Sequence, residues 1–126
     1  MMTRIAMWSG PRNISTAMMR SWETRPDTYV IDEPFYAHYL QVTGLDHPGA
    51  EEVIAVHEAD SKAVITLLQR DPPHPFNIYY QKHMAHHLLA NIDRSWIKDM
   101  TNCFLIRDPR EMIPSLSHHL DQPQIT

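Results

Sequence analysis

Residues 4–20, RIAMWSGPRNISTAMMR, contain the pattern from which the fold follows. The apolar run from Ile5 to Trp8 predicts a short buried strand. Gly10 and Pro11 then break the pattern, because glycine allows unusual backbone angles and proline restricts its own φ and its neighbour. A helical pattern follows, whose apolar face is predicted to comprise Ile14, Ala17, Met18 and Trp22. The sequence therefore predicts a strand, a tight turn and a helix in direct succession.

The turn of this unit, Gly10 to Thr16, is predicted to bind an anion. A helix that begins directly after a tight turn presents free backbone N–H groups at the positive end of its dipole, and phosphate is a common occupant of such a position. Arg12, Asn13, Ser15 and Thr16 add a cation, an amide and two hydroxyls. A polar turn that merely caps a helix is the alternative. The turn is not a Walker A loop, which would need Gly at position 15 and Lys at position 16.

The remainder of the chain alternates between strand and helix patterns. Strands are predicted at Thr28–Asp32, Phe76–Gln81 and Thr101–Ile106. Helices are predicted at Phe35–Leu40, in one or two pieces within 50–69, from Met84 to Ile92, and from Asp108 onward. Continuously apolar strands between helices are typical of a parallel sheet with helices on both faces. We therefore expect an α/β fold of three layers that forms one domain over residues 1–126.

Polar residues follow each predicted strand. Gly10 to Thr16 follow the first strand, Glu33 the second, Lys82 and His83 the third, and Arg107 to Glu111 the fourth. Ligands of parallel α/β sheets bind beyond the carboxyl ends of the strands. The four groups are therefore expected to meet at one edge of the sheet.

Charge and cysteine content limit the possible functions. The 126 residues carry a formal net charge of −4, which argues against a general binder of nucleic acid or of membrane surfaces. The single cysteine, Cys103, cannot form an internal disulfide, so a reducing cytoplasm is the expected compartment. The sequence shows neither a signal segment nor an apolar run of the roughly 20 residues that cross a membrane.

Two segments resemble the PAPS-dependent sulfotransferases, a family with a fold similar to the P-loop NTPases. Gly10-Pro11-Arg12-Asn13-Ile14-Ser15-Thr16 resembles the phosphosulfate loop of that family, which reads Pro-Lys-Ser-Gly-Thr-Thr. Phe104 to Glu111 resembles its second signature, in which a strand ends in arginine and a serine follows eight residues later. Arg107 and Ser115 have that spacing. The similarity spans residues 3–120 but only about the N-terminal half of the usual domain, so an incomplete domain is expected.

The resemblance implies a role for each matching residue. Arg12 would replace the loop lysine and contact the bridging oxygen between phosphate and sulfate, while Ser15 and Thr16 would hold the 5′-phosphate. Arg107 and Ser115 would hold the 3′-phosphate. The remaining loop residues, Gly10, Pro11 and Asn13, would line the nucleotide site. The implied co-substrate is PAPS, 3′-phosphoadenosine 5′-phosphosulfate, and the implied partner is a small-molecule acceptor.

Two residues match the positions at which the family carries its catalytic base. Glu33 matches a glutamate directly after the second strand, and His83, in Gln81-Lys82-His83, matches a histidine in Lys-Thr-His after the third. Either residue type could take the proton of an acceptor hydroxyl or amine. Lys82 could assist as a nearby cation. The sequence leaves open which residue acts as the base.

Three alternatives accompany this interpretation. A small P-loop nucleotide kinase would need Mg²⁺ and a strand-end aspartate, for which Asp32 is the loose candidate. A nucleotide-binding remnant without catalysis would keep only the anion site, and completion by a partner chain or a C-terminal half is a related possibility. A zinc site at His83, His86 and His87 is not expected, because the chain has no His-Glu-x-x-His motif and only one cysteine.

Overall fold

A four-stranded, all-parallel sheet forms the centre of the molecule, as a computed structural model shows for residues 2–11, 13–44 and 57–106. The strands are β1 (Thr3–Ser9), β2 (Thr28–Asp32), β3 (Ile78–Met84) and β4 (Thr101–Leu105). They lie in the order β2-β3-β1-β4, so β1 pairs with both β3 and β4. The predicted α/β fold with a parallel sheet is confirmed.

Among the described residues, three helices and two short 3₁₀ turns connect the strands. The helices are α1 (Ser15–Glu23), α2 (Tyr36–Thr43) and α3 (Ser61–Gln69), and the 3₁₀ turns are Ala85–His87 and Ser95–Asp99. Asp60 caps α3, since its carboxylate accepts a hydrogen bond from the Lys62 N–H at 3.2 Å. Gly44 ends α2 in the left-handed conformation, at φ 64°. These signals explain why α2 ends and α3 begins where they do.

Each face of the sheet carries its own apolar cluster. Ala6 and Trp8 of β1 pack with Phe35, with α3 and with Trp96 on one face. Ile5 and Met7 pack with Met19 of α1 and Tyr80 of β3 on the other. The two sets of β1 residues alternate along the strand because successive side chains point to opposite faces. Both faces of the sheet are therefore covered, as expected.

The third strand begins and ends later than predicted. It spans Ile78–Met84 rather than Phe76–Gln81, and its register with β1 runs from Thr3 opposite Ile78 to Ser9 opposite Met84. Lys82 and His83 therefore lie within the strand and not after it. The sequence predicted that the strand ends before Lys82 and His83 because both residues are polar. Inside the fold, both side chains have hydrogen-bonding partners, which allow polar residues in a buried strand.

The helix predicted from Met84 to Ile92 does not form. The chain makes only a single 3₁₀ turn at Ala85–His87. Leu88 and Leu89 pack against the core from irregular backbone, and their carbonyl groups each accept a hydrogen bond from the Arg94 guanidinium at 3.3 Å. The apolar spacing that predicted a helix here belongs to loop residues that pack against the core.

The predicted apolar faces of α1 and β4 were partly wrong. On the predicted face of α1, Ile14 is 61% exposed and Ala17 is also exposed, against the prediction. Met18 and Trp22 are half-buried, and Met19 is buried. Strand β4 is present as predicted, but it is the edge strand of the described sheet and its Phe104 is 68% exposed. The helix predicted from Asp108 onward, and the first part of the helical segment within 50–69, lie outside the described residues.

Candidate active site

The turn predicted to bind phosphate lies between β1 and α1 and is attached to a neighbouring strand. Asn13 donates a hydrogen bond from its amide Nδ2 to the Leu105 carbonyl at the end of β4, at 3.2 Å, and its Oδ1 accepts from the Ile14 N–H at 2.8 Å. Helix α1 then begins without a side-chain cap and without an acidic residue in its first turn. Its first N–H groups therefore remain available to an anion.

The hydroxyl groups of the turn differ in exposure. Ser15 is buried at the first position of α1, and Thr16 beside it is exposed. The Thr16 hydroxyl Oγ1 accepts a hydrogen bond from Lys82 Nζ at 2.9 Å. This contact links the beginning of α1 to strand β3.

Lys82 joins the turn to two carboxylates. Its ammonium Nζ lies 3.3 Å from Glu33 Oε2 and 3.1 Å from Asp32 Oδ1, in addition to its contact with Thr16. The Lys82 side chain is only 5% exposed, whereas Asp32 and Glu33 are 46% and 31% exposed. A buried ammonium with three oxygen partners is electrostatically satisfied, and it holds residues of α1, β2 and β3 at one point.

Glu33 has a strained backbone conformation. Its φ is 45°, the left-handed region that residues with a Cβ rarely adopt. The Glu33 N–H donates to the Lys82 carbonyl at 2.9 Å, and the Glu33 carbonyl accepts from the Tyr36 N–H at 3.1 Å. These bonds bend the chain sharply at the end of β2 and hold the carboxylate beside Lys82. Such strain is common at functional sites.

His83 lies on the opposite face of the sheet from Lys82. It is 2% exposed, its ring stacks on Trp8 at 4.5 Å between centroids, and Phe35 and Trp96 pack nearby. Burial, with a smaller contribution from His87, lowers the pKa of His83 to about 3. The imidazole is therefore neutral near pH 7, inside the apolar cluster.

The hydrogen bonds of His83 determine its tautomer. Gln81 donates from Nε2 to the Leu68 carbonyl at 3.1 Å, so its amide oxygen Oε1 is the atom that faces His83. Because Oε1 can only accept, His83 Nε2, at 3.1 Å, carries the proton and donates it. Because Nε2 of His83 is the protonated nitrogen, it cannot act as a base in this arrangement.

Two cavities adjoin the carboxyl edge of the sheet. One, of about 380 Å³, lies among β2, α2 and α3, and Asp32 and Glu33 are part of its wall. The other, of about 560 Å³, lies beside Gly10, between the first 3₁₀ turn and the end of β4. Both cavities are of a size that small-molecule sites commonly have.

The structure brings together some of the predicted site residues. Thr16, Glu33 and Lys82 meet directly, and Gly10, Pro11, Asn13 and Ser15 belong to the turn that leads to Thr16. His83 does not join them. Arg12, Arg107 and Ser115 lie outside the described residues.

Sequence reasoning underestimated Lys82 and Asp32. Lys82 was predicted only to assist, yet it is the common partner of the turn and of both carboxylates. Asp32 was considered only as a metal-binding aspartate of a kinase. Two adjacent carboxylates at the end of β2 could have indicated this role, because such a pair requires a cation nearby. Lys82, on the next strand of the sheet, is that cation.

Among the residues that the structure describes, no helix is long and apolar enough to cross a membrane. Within the same ranges, no three histidine, cysteine, aspartate or glutamate side chains form a group that could hold a metal ion.

The chain is similar to a known domain family and to two plant proteins. The chain matches the family described as Sulfotransferase domain over residues 2–125. It is 32% identical over 111 residues to branched-chain-amino-acid aminotransferase-like protein 2 of Arabidopsis thaliana, and 33% identical over 112 residues to branched-chain-amino-acid aminotransferase-like protein 1 of the same plant. Each match covers 88% of this chain but only 20% of the relative.

No solved structure shows significant similarity to the chain. The family match, by contrast, includes the turn from Gly10 to Thr16, the residues of the Glu33–Lys82 contact and the segment that contains Arg107 and Ser115. The chain belongs to the sulfotransferase domain family.

Proposed function

We propose that this site transfers a sulfuryl group from PAPS to a hydroxyl or amine of a small-molecule acceptor. The observation that carries the proposal is the contact of Lys82 Nζ with Thr16 Oγ1 on one side and Glu33 Oε2 on the other, at 2.9 and 3.3 Å. It places a cation and a carboxylate beside the turn that is suited to bind the phosphosulfate.

The reaction is an in-line displacement at sulfur. The acceptor oxygen or nitrogen forms a bond to sulfur while the bond from sulfur to the 5′-phosphate oxygen breaks, so the products are the sulfated acceptor and adenosine 3′,5′-bisphosphate. Arg12, Ser15, Thr16 and the first N–H groups of α1 hold the 5′ end and stabilise the charge on the leaving oxygen. Arg107 and Ser115 hold the 3′-phosphate.

Glu33 is the proposed base, and His83 is the less suitable candidate. The Glu33 carboxylate lies, partly exposed, at the carboxyl edge of the sheet. It contacts Lys82, which in turn contacts Thr16. His83 is buried on the other face, and its Nε2 proton is directed to Gln81. Lys82 is proposed to shift toward the phosphosulfate when it binds, which frees Glu33 to accept the acceptor proton.

The proposal concerns the site rather than a whole protein. The chain spans about a fifth of the length of the curated relatives it matches, 20% in each case. A partner chain or further residues would complete the nucleotide and acceptor pockets.

A reducing compartment such as the cytoplasm suits Cys103, the only cysteine, which is a free thiol.

Thermal unfolding with two nucleotides tests the proposal. Adenosine 3′,5′-bisphosphate is expected to stabilise the protein equally with and without Mg²⁺, and more strongly than ATP. Arg107→Ala is expected to remove the preference for the bisphosphate, because the 3′-phosphate loses its cation. A matched control, Arg70→Ala, changes an exposed arginine at the end of α3 and should preserve the preference.

Other outcomes would favour other functions. Stabilisation by ATP that depends on Mg²⁺ would contradict the proposal and favour a nucleotide kinase. Binding of the bisphosphate without sulfuryl transfer to any of a broad set of phenols, alcohols and amines would favour a nucleotide-binding remnant.

A further inference from the structure

We propose that the acceptor binds in the cavity of about 380 Å³ among β2, α2 and α3, and that this cavity selects uncharged or cationic acceptors over anionic ones. This inference rests on the proposed sulfuryl transfer and names the substrate class of the same site. The cavity is called the acceptor cavity below.

The position of Glu33 connects the acceptor cavity to the reaction. Glu33 lines the cavity, and its Oε2 also contacts Lys82, which in turn contacts Thr16 of the phosphate-binding turn. An acceptor seated in the cavity therefore has its hydroxyl or amine within reach of the base, with the sulfuryl donor beyond it. Proximity of this kind is a large part of catalysis in group transfer.

The walls of the acceptor cavity are suited to an apolar body. Ile31, Ala37, Val64 and Leu67 come from the strand and from the two helices that enclose it. Val64 is 2% exposed and belongs to the core, whereas Leu67 is 39% exposed. An acceptor with an aromatic or aliphatic body would cover Leu67 and remove that apolar surface from water.

The charges around the acceptor cavity are negative. Its described lining includes three carboxylates, those of Asp32, Glu33 and Glu58, and none of the described lining residues is lysine or arginine. The described lining also includes the imidazole of His57. Lys82 behind the wall is already paired with Asp32 and Glu33. A carboxylate or phosphate on the acceptor would meet repulsion there without a compensating partner.

The larger cavity beside Gly10 is a poorer acceptor site. Among its described lining residues there is no carboxylate or imidazole that could take the acceptor proton. It lies against Phe104, Leu105 and Ile106, directly before Arg107 in the sequence. Its position agrees with the nucleotide half of the site instead.

Three phenols of similar size test the charge selection. Tyramine is cationic, phloretamide is neutral, and phloretic acid is anionic near neutral pH. Binding of each to the protein saturated with adenosine 3′,5′-bisphosphate is measured by calorimetry, and sulfated products are measured by mass spectrometry with PAPS. Tyramine and phloretamide are expected to bind at least about tenfold more tightly than phloretic acid. Glu58→Lys is expected to reduce that ratio by about fivefold.

Variants of α3 test the location. Leu67→Trp narrows the acceptor cavity and is expected to weaken phloretamide binding by at least about tenfold. Leu67→Ala removes the apolar contact and should weaken it several-fold. Gln69→Trp, an exposed position of the same helix outside the lining, should change neither value. Bisphosphate binding is expected to stay unchanged in all three variants, which also shows that they remain folded.

The outcomes separate this inference from the proposed function. Equal or tighter binding of phloretic acid, or unchanged phloretamide binding in both Leu67 variants, overturns the acceptor assignment while bisphosphate binding still supports the sulfotransferase site. Failure of the wild-type protein to bind the bisphosphate overturns the proposed function and this inference with it.

Discussion

At the scale of single residues, Glu33 shows how a strained local conformation positions a carboxylate. A residue with a Cβ at φ 45° is less stable than in its ordinary conformations by about 1 kcal/mol. Hydrogen bonds from the Glu33 N–H to Lys82 and from Tyr36 to the Glu33 carbonyl offset that strain. Glycine at position 33 would relieve the backbone strain, but it would not supply a carboxylate. The presence of glutamate at this strained position therefore favours function over stability.

A pair of substitutions at Glu33 separates strain from chemistry. Glu33→Gly is expected to be more stable than Glu33→Ala by about 1 kcal/mol, because glycine tolerates the left-handed conformation and alanine does not. Both variants should lose sulfuryl transfer and keep bisphosphate binding. Urea unfolding and calorimetry provide the measurements, and equal stability of the two variants would show that the strain is negligible.

Lys82 is expected to matter for both rate and stability. Lys82→Met removes the cation shared by Thr16, Asp32 and Glu33 and should lower kcat by about a hundredfold. The unfolding free energy should fall by no more than about 2 kcal/mol, because the two carboxylates are partly exposed and water can hydrate them. Lys62→Met, at an exposed lysine of α3, is the control. A wild-type rate in Lys82→Met would remove Lys82 from the mechanism.

The contrast between Lys82 and His83 shows why residue type alone does not identify the side chain that contacts Thr16 and Glu33. Adjacent residues of a strand point to opposite faces, so only one of the two can point toward Thr16. The sequence showed both as polar residues near a strand end. The register of β3 with β1, with Met7 opposite Lys82 and Trp8 opposite His83, decided between them.

At the scale of elements, β3 and the 3₁₀ turn after it carry two histidines that burial keeps neutral. Burial lowers the pKa of His83 to about 3, and burial together with His86 and the Lys82 charge lowers the pKa of His87 to about 4. Around His87, Tyr36 stacks at 5.3 Å, Tyr39 lies at 4.8 Å and His86 at 4.4 Å between ring centroids. This packing attaches the turn after β3 to helix α2.

The depressed pKa values predict acid sensitivity. Unfolded histidines bind protons near pH 6.5, whereas the folded forms do not until well below that, so the unfolded state takes up protons first as the pH falls. The contribution of these neutral histidines to the unfolding free energy is therefore fully present above pH 6.5 and is lost as the pH falls toward 4. His87→Phe should remove about 2 kcal/mol of the loss between pH 6.5 and 4.5, measured by urea unfolding.

A histidine elsewhere provides the control for that measurement. His74→Gln changes an exposed side chain and should leave the pH dependence of unfolding as in the wild type. An unchanged slope in His87→Phe would contradict the assignment of a neutral, buried imidazole.

Elements were predictable where the local pattern had a single explanation. Strand β2 lies at the predicted Thr28–Asp32, bounded by a proline turn before it and Pro34 after it. Helix α3 begins at Ser61, within the helical segment predicted over 50–69, where the capping carboxylate of Asp60 precedes the apolar spacing. The segment after β3 failed because Leu88 and Leu89 have helical spacing, but Arg94 binds their carbonyl groups.

At the scale of the whole molecule, the sheet order places β1 between β3 and β4 and so brings the turn from Gly10 to Thr16 beside the ends of both neighbours. Asn13 reaches the end of β4, and Thr16 reaches Lys82 of β3. The turn is therefore held by long-range contacts on two sides. Such support limits the reorganisation needed when a nucleotide binds.

Amide hydrogen exchange is expected to follow the sheet order. Strands β1 and β3 are each paired on both sides, so their amides should exchange at least about tenfold more slowly than those of β2 and β4, the edges of the described sheet. Saturating adenosine 3′,5′-bisphosphate should slow exchange further in β1 and at the start of α1. Equal exchange in all four strands would contradict the central position of β1 and β3.

The sequence by itself determined the class of fold and the family. Apolar runs, glycine, prolines and the order of polar residues are local properties, and they sufficed to predict the parallel sheet and the sulfotransferase resemblance. The tertiary structure alone decided that Lys82 and not His83 approaches Thr16 and Glu33, and that a cavity adjoins Glu33. These features depend on strand register and on packing between segments distant in sequence, and local patterns do not encode either.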